Sequence, residues 1–322
     1  MKPGTRIENR FELIEKSDTV YEGARPLEKF LEQNRSVYGG EFISQAMYAA
    51  WKTIPGEEFT PNSLHAYFLK VGNNGSVIRY EVKKTNDGKN FCNRTVECYQ
   101  TETNALCVVY MMSFSKKNDR NKLRSDHKSL EEGKFSLDFQ KKPNFYFDKY
   151  VKTIDNINYI EHTHEFFHHA LPPEFFDTRL PPNYKNVSLS DREFGMFFRV
   201  NDDLTVAKDV IKSKFLLLSY ISDSFYLPSI YRALGHPIGP GMMKDVNISL
   251  DHCVNFHDVN FDPTQWMFMS WSYDRMVNNR VLVNCFIYTL DGTMVASIRQ
   301  EGLSFISKET LLGSDAPGIP KL

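Results

Sequence analysis

One pattern occurs twice in this chain, and few folds accommodate it. A helix-length run that is apolar over most of its circumference is followed, both times, by a succession of alternating, strand-like segments. In the first occurrence Arg35-Ser36-Val37-Tyr38-Gly39-Gly40 opens a run carrying Phe42, Ile43, Ala46, Met47, Ala49, Ala50 and Trp51 and closing near Pro55. Strand-like segments follow at 63–70, 77–85, 91–100 and 106–115, with Asn86-Asp87-Gly88-Lys89 as a hairpin turn. In the second, Val210, Phe215, Leu216, Leu217, Leu218, Tyr220 and Ile221 lead into Ser222-Asp223-Ser224, read as a second apolar helix interrupted by an acid. Strands are expected at 247–257, 266–273, 280–289 and 294–306, with Leu290-Asp291-Gly292-Thr293 as the last turn. Asn62-Ser63-Leu64-His65 matches Ile248-Ser249-Leu250-Asp251, an offset of 249 − 63 = 186 residues.

A period of that length signals two copies of one domain and not a solenoid. A helix apolar all round must be covered on several sides, which a curved antiparallel sheet achieves. The expected fold class is therefore α+β, with each copy a long helix wrapped by a sheet. The division is 1–116 for the first copy, 117–203 for an aromatic, proline-punctuated linker laid over the surface, and 204–322 for the second copy. Residues 7–34 are read as mixed sequence covering a surface.

Composition excludes several classes. The 39 basic and 40 acidic residues give a net charge of −1, which argues against wholesale nucleic-acid binding. The 25 Phe and 16 Tyr favour β structure or a channel lined with rings. Five cysteines (Cys92, Cys98, Cys107, Cys253, Cys285) with no CxxC pair read as reduced core residues of an intracellular protein. The N-terminal residues lack the apolar region of a signal peptide, and no run reaches the length of a membrane span.

Polar residues in apolar settings are the candidates for chemistry. Counting by twos from Met294, one face reads Met294, Ala296, Ile298 and then Gln300, so a neutral amide that needs a partner stands on an apolar face. In 247–257, strict alternation puts Ile248, Leu250, Val254 and Phe256 on one face and Ser249, Asp251, Cys253 and Asn255 on the other. Asp251 and His252, adjacent on a strand, face opposite ways and do not form a dyad. Asp223 beside an apolar run is either a partly desolvated base or a cap or buried ion-pair partner. His164-Glu165-Phe166-Phe167-His168 formally matches the HExxH zinc motif, but it is squeezed between Asn158 and Pro172, flanked by His162 and His169, and followed by no third-ligand motif. No GxSxG elbow, dinucleotide or P-loop glycine pattern is present.

The strings Tyr38-Gly39-Gly40, Ser63-Leu64-His65-Ala66-Tyr67-Phe68-Leu69, Tyr220-Ile221-Ser222-Asp223, Ser249-Leu250-Asp251-His252 and Gln300-Glu301-Gly302, in this order, resemble the acyl-CoA thioesterase II family. That family comprises bacterial thioesterase II enzymes and peroxisomal acyl-CoA thioesterases of eukaryotes, with a double hotdog fold. The resemblance spans about 35–305 and is weakest between 116 and 182. It implies hydrolysis of fatty acyl-CoA to fatty acid and CoA by a water held between an Asp, a Ser or Thr, and a Gln. These positions fall on Asp223, Ser249 and Gln300, with no metal or other cofactor. The first copy has no acid where the second has Asp223, and it is expected to contribute structure, with Gly39 and Gly40 letting backbone approach the thioester. Glu41 stands where the family leads one to expect Gln.

Other hotdog modules act as hydratases or only bind acyl-CoA; a hydratase would be expected to show an Asp and His pair, and a pure binder would survive loss of Gln300. Lys70, Lys89, Arg94, Arg275 and Arg280 are the candidate partners for the CoA phosphates. A homo-oligomer through a sheet edge or face is expected. Pro320-Lys321-Leu322 resembles the peroxisomal Ser-Lys-Leu address, with cytoplasmic residence the alternative.

Overall fold

A short helix, α1 (Arg6–Arg10), and a hairpin of β1 (Leu13–Ser17) and β2 (Val20–Gly23) precede the first apolar helix, α2 (Gly39–Lys52). The computed structural model describes residues 3–30, 34, 36–116, 139–156, 166–177, 184, 187–224, 227–239 and 246–312. Four strands follow α2, namely β3 (Thr60–Phe68), β4 (Ile78–Asp87), β5 (Phe91–Gln100) and β6 (Ala105–Ser115). The second half contains α3 (Phe145–Tyr150), β7 (Phe167–Ala170), β8 (Glu193–Val200), α4 (Val210–Ile221) and α5 (Ile230–Ala233). It closes with β9 (Val246–Ser249), β10 (Asp251–Phe256), β11 (Met267–Val277), β12 (Arg280–Thr289), β13 (Met294–Phe305) and α6 (Lys308–Leu312).

The strands form one antiparallel sheet in the order β1-β2-β4-β5-β6-β3-β10-β13-β12-β11-β8-β7, with β9 also on β13. It is a double hotdog: each half wraps its own helix, and the two halves join edge to edge where β3 pairs with β10. The pairing carries the symmetry of the repeat. Ala66 faces His252, and these are equivalent positions, since 66 + 186 = 252. Leu64 faces Val254 while Phe68 N–H donates to Leu250 O at 2.9 Å, and the two pairs exchange under the same offset. Joining the edges this way removes two of the exposed rims that separate sheets would present.

The helices α2 and α4 pack antiparallel. Ser44 Oγ donates to Leu216 O at 2.9 Å, Tyr38 Oη donates to Tyr220 O at 2.8 Å, and the rings of Trp51 and Phe215 meet edge to face at 5.8 Å. At the closest point Gly40 lies on the Tyr220 carbonyl, where any Cβ would collide, so the crossing requires glycine. Glu41, the departure from the family pattern, is fully buried and pairs with Arg10 of α1 (Nη2–Oε2 2.6 Å). Burial pushes the Glu41 carboxyl up, against the pull of the Arg10 guanidinium. Its place is structural, tying the N-terminal segment to α2.

Three expectations are corrected. The segment 117–203 is not only a surface connection, because β7 and β8 extend the sheet beside β11. Phe194, Met196, Phe197 and Phe198 are all buried, with the rings of Phe197, Phe147 of α3 and Phe268 in mutual contact. A strand covered on both faces loses the alternation that marks strands in sequence. Residues 7–34 do more than cover a surface, since the β1–β2 hairpin extends the sheet through β2 pairing with β4. Finally α4 ends at Ile221, so Asp223 sits just beyond it and not inside the helix.

His164 and Glu165 lie outside the described residues, but His168 is on β7 opposite Arg199, so the HExxH stretch does not stay helical to its second histidine. Among the described residues no group of three or more His, Cys, Asp or Glu is arranged to hold a metal ion, and no helix is long and apolar enough to cross a membrane. Pro320-Lys321-Leu322 also lies outside the described residues.

Candidate active site

Three elements of the second half bring Asp223, Ser249 and Gln300 together. Ser222 caps the C-terminus of α4, and Asp223 follows in the turn with its side chain only 7% exposed. Gln300 stands on the inward face of β13, where Ala296 and Ile298 precede it, all three buried.

Ser249 reaches the same point through a bulge that alternation did not anticipate. Ser249 pairs with Gly302 and Cys253 with Arg299, so four steps on one strand oppose three on the other. Leu250 takes up the extra residue, its N–H donating to Glu301 O at 2.9 Å. Ser249 thereby leaves the face of Asp251, Cys253 and Asn255 and joins the interior, while Ile248 turns outward and is 41% exposed. The face predicted for Ser249 is corrected for this reason.

The three side chains are within hydrogen-bond reach of one another. Gln300 Nε2 donates to Asp223 Oδ1 at 3.0 Å and to Ser249 Oγ at 2.7 Å. Ser249 Oγ lies 3.5 Å from Asp223 Oδ1, the outer limit of a hydrogen bond. Burial pushes the Asp223 carboxyl up from its ordinary 3.8 to about 7, with the Gln300 and Ser249 hydrogen bonds pulling the other way. Asp223 Oδ2 faces the N-terminus of α2, where a Cβ on Gly39 would collide with it. Gly39 and Gly40 therefore matter for different neighbours, the first for Asp223 and the second for the helix crossing.

His252 belongs to the cluster although sequence reasoning set it aside. Its Nδ1 donates to Gln300 Oε1 at 2.8 Å, and its Nε2 lies 3.0 Å from Ser222 Oγ. It is fully buried, and burial holds its pKa down at about 4. The signal was present: His252 shares an apolar face with Val254 and Phe256, the same anomaly that singled out Gln300. From the first half, Tyr38 and Tyr110 add buried phenols whose titration burial and the Asp223 charge push well above the ordinary value.

Glu301 and Gly302 of the quoted strings make structural contacts. Glu301 accepts a bidentate pair from Arg280 (3.0 and 2.8 Å), and its N–H donates to Asp251 Oδ1 at 2.6 Å. Gly302 leaves room for Leu227, whose methyls would stand 2.7 and 2.8 Å from a Cβ. Of the candidate phosphate partners, Arg94 is fully buried on Thr53 and Asp87 and is removed from that role. Arg280 is held by Glu301.

Known proteins resemble this chain over most of its length. Residues 28–115 match the family description "acyl-CoA thioesterase N-terminal domain" and residues 154–304 match "acyl-CoA thioesterase C-terminal domain". The chain is 24% identical over 305 residues to the peroxisomal acyl-coenzyme A thioester hydrolase 1 of Saccharomyces cerevisiae, covering 84% of this chain and 86% of that one. It is 27% identical over 271 residues to acyl-CoA thioesterase 2 of Haemophilus influenzae, covering 84% and 87%. Among solved structures, an acyl-CoA thioesterase II from Mycobacterium marinum superposes with a TM-score of 0.67 at 20% identity, over 94% of this chain and 98% of that one. At that identity the superposition speaks for the fold.

Proposed function

The chain belongs to the acyl-CoA thioesterase family, and on that premise we propose that it hydrolyses fatty acyl-CoA by a water held between Asp223, Ser249 and Gln300. The observation that carries the reading is the convergence of the three side chains on one point, with Gln300 Nε2 bonded to both partners.

Each group has a separable task. Asp223, with a pKa raised to about 7 by burial, is ionised often enough at neutral pH to accept a proton and basic enough to take one from water. Gln300 donates to Asp223 and Ser249 and holds their oxygens in place, and the Ser249 hydroxyl offers the water a further hydrogen bond. As Asp223 takes the proton, the water oxygen bonds to the thioester carbonyl carbon. The tetrahedral adduct then expels the CoA thiolate, which recovers the proton from Asp223 and leaves as thiol. A thiolate leaves readily, so no covalent enzyme intermediate is required. The N-terminus of α2, which Gly39 lets lie against Asp223, offers backbone N–H donors for charge developing on the carbonyl oxygen.

The reading is tested by thiol release from a panel of acyl-CoAs of increasing chain length. Turnover on at least one chain length, unaffected by a chelator, is expected. Binding of acyl-CoA without turnover on any length would contradict hydrolysis and favour a binding protein.

A further inference from the structure

The Asp223–Ser249–Gln300 arrangement works only if the Gln300 amide presents its nitrogen to Asp223, an orientation that the carboxylate dictates when ionised and no longer dictates when protonated. We propose that His252 is a positioning residue, whose Nδ1–H holds the carbonyl end of the Gln300 amide and so turns both amide N–H bonds onto Asp223 and Ser249. The inference rests on the hydrolytic reading above, in which Asp223 must be ionised to act.

The hydrogen-bond roles follow from counting protons. An ionised carboxylate only accepts, so Gln300 presents Nε2 to Asp223, and its Oε1 is left facing His252 Nδ1 at 2.8 Å. Nδ1 therefore carries the proton. A neutral imidazole then has its lone pair on Nε2, 3.0 Å from Ser222 Oγ. In the proposed arrangement the single Ser222 proton turns to that lone pair, away from Ser219 O, to which the hydroxyl otherwise donates at 2.7 Å. Burial, which disfavours the imidazolium, keeps the ring in this one-proton form.

The internal repeat supplies an independent comparison. Across the β3–β10 seam His252 is opposite its own counterpart, Ala66. In the first copy Ala66 pairs with Tyr110 of β6, and in the second His252 bonds Gln300 of β13. The copy without a catalytic acid thus lacks the histidine and the amide together, as expected of two residues that act as one unit.

With His252 replaced by an apolar residue, the amide could rotate to put Oε1 against Asp223, withdrawing a donor from the carboxylate and favouring its protonated form. Among the other groups that act on Asp223, Tyr38 and Tyr110 stay neutral at working pH, and Ser249 offers only its single hydroxyl proton.

The test compares His252→Leu, which removes the donor, with His252→Asn, whose Nδ2 takes the place of Nδ1. For His252→Leu we expect kcat to fall by about 10–100-fold, with KM changed by less than about twofold and the acid limb of the pH–rate profile moved to higher pH. His252→Asn is expected to recover most of kcat and the wild-type limb. A folded His252→Leu with wild-type kcat and limb, or an Asn variant no better than Leu, would overturn the proposal. Nitrogen-15 NMR of the wild-type imidazoles, with the His252 signals assigned by their loss in His252→Asn, needs no substrate. A neutral Nδ1–H form between about pH 6 and 8 supports the proposal, and an Nε2–H form or an imidazolium contradicts it. If the wild type turned over no acyl-CoA, the hydrolytic reading would fail while the NMR still decided the His252–Gln300 arrangement.

Discussion

Burial and hydrogen bonding pull the Asp223 carboxyl in opposite directions, and burial prevails. Two consequences can be measured. Asp223 acts as a base only when ionised, so kcat/KM should fall as pH drops below about 7, with a single-proton acid limb there. Its folded pKa lies above the unfolded 3.8, so the folded chain holds the proton more tightly, and ionising it between about pH 4 and 7 lowers stability. Asp223→Asn should therefore abolish turnover and be more stable than wild type above pH 7, by roughly 2–4 kcal/mol in denaturant melts. Equal or lower stability of the variant would argue against a buried, unpaired carboxylate. At this scale the sequence was informative where a polar residue broke an apolar face, as at Gln300. Ser249 was placed on the wrong face because a single-residue bulge at Leu250 reverses alternation without altering composition. His252 was legible by the same rule as Gln300, but its partners come from a helix end and a second strand that only the fold brings near.

Among the elements, the antiparallel pair α2 and α4 decides where Asp223 sits relative to the N-terminus of α2. Gly40 sets their separation and Gly39 sets the space for the carboxylate. Gly40→Ala should force the helices apart and cost about 1–3 kcal/mol in denaturant melts, as overpacking does. Gly39→Ala should spare stability more and activity less, because its Cβ meets the Asp223 carboxylate and not a backbone carbonyl. If both variants lost stability equally with activity intact, this division of roles would be wrong. The two apolar helices and their hairpins were readable from periodicity and turn residues. The strands β7 and β8 were not, since β8 is buried at every residue from Phe194 to Phe198 and so shows no polar–apolar alternation. The buried Arg10–Glu41 pair was equally hidden, because its partners are far apart in sequence.

For the molecule as a whole, the repeat builds two hotdog halves, and the proposed site falls in the second. The seam at Ala66 and His252 keeps the symmetry of the duplication, while the proposed site breaks it, with Ala66 and Tyr110 where the other half has His252 and Gln300. The first half brings the N-terminus of α2 against Asp223. The central claim, one water-activating site per chain built from Asp223, Ser249 and Gln300, is tested most directly by the initial rate of thiol release from acyl-CoA by wild type and Gln300→Ala at matched thermal stability. A fall in kcat of about 100-fold or more is predicted, and a folded Gln300→Ala that retained full turnover would contradict it.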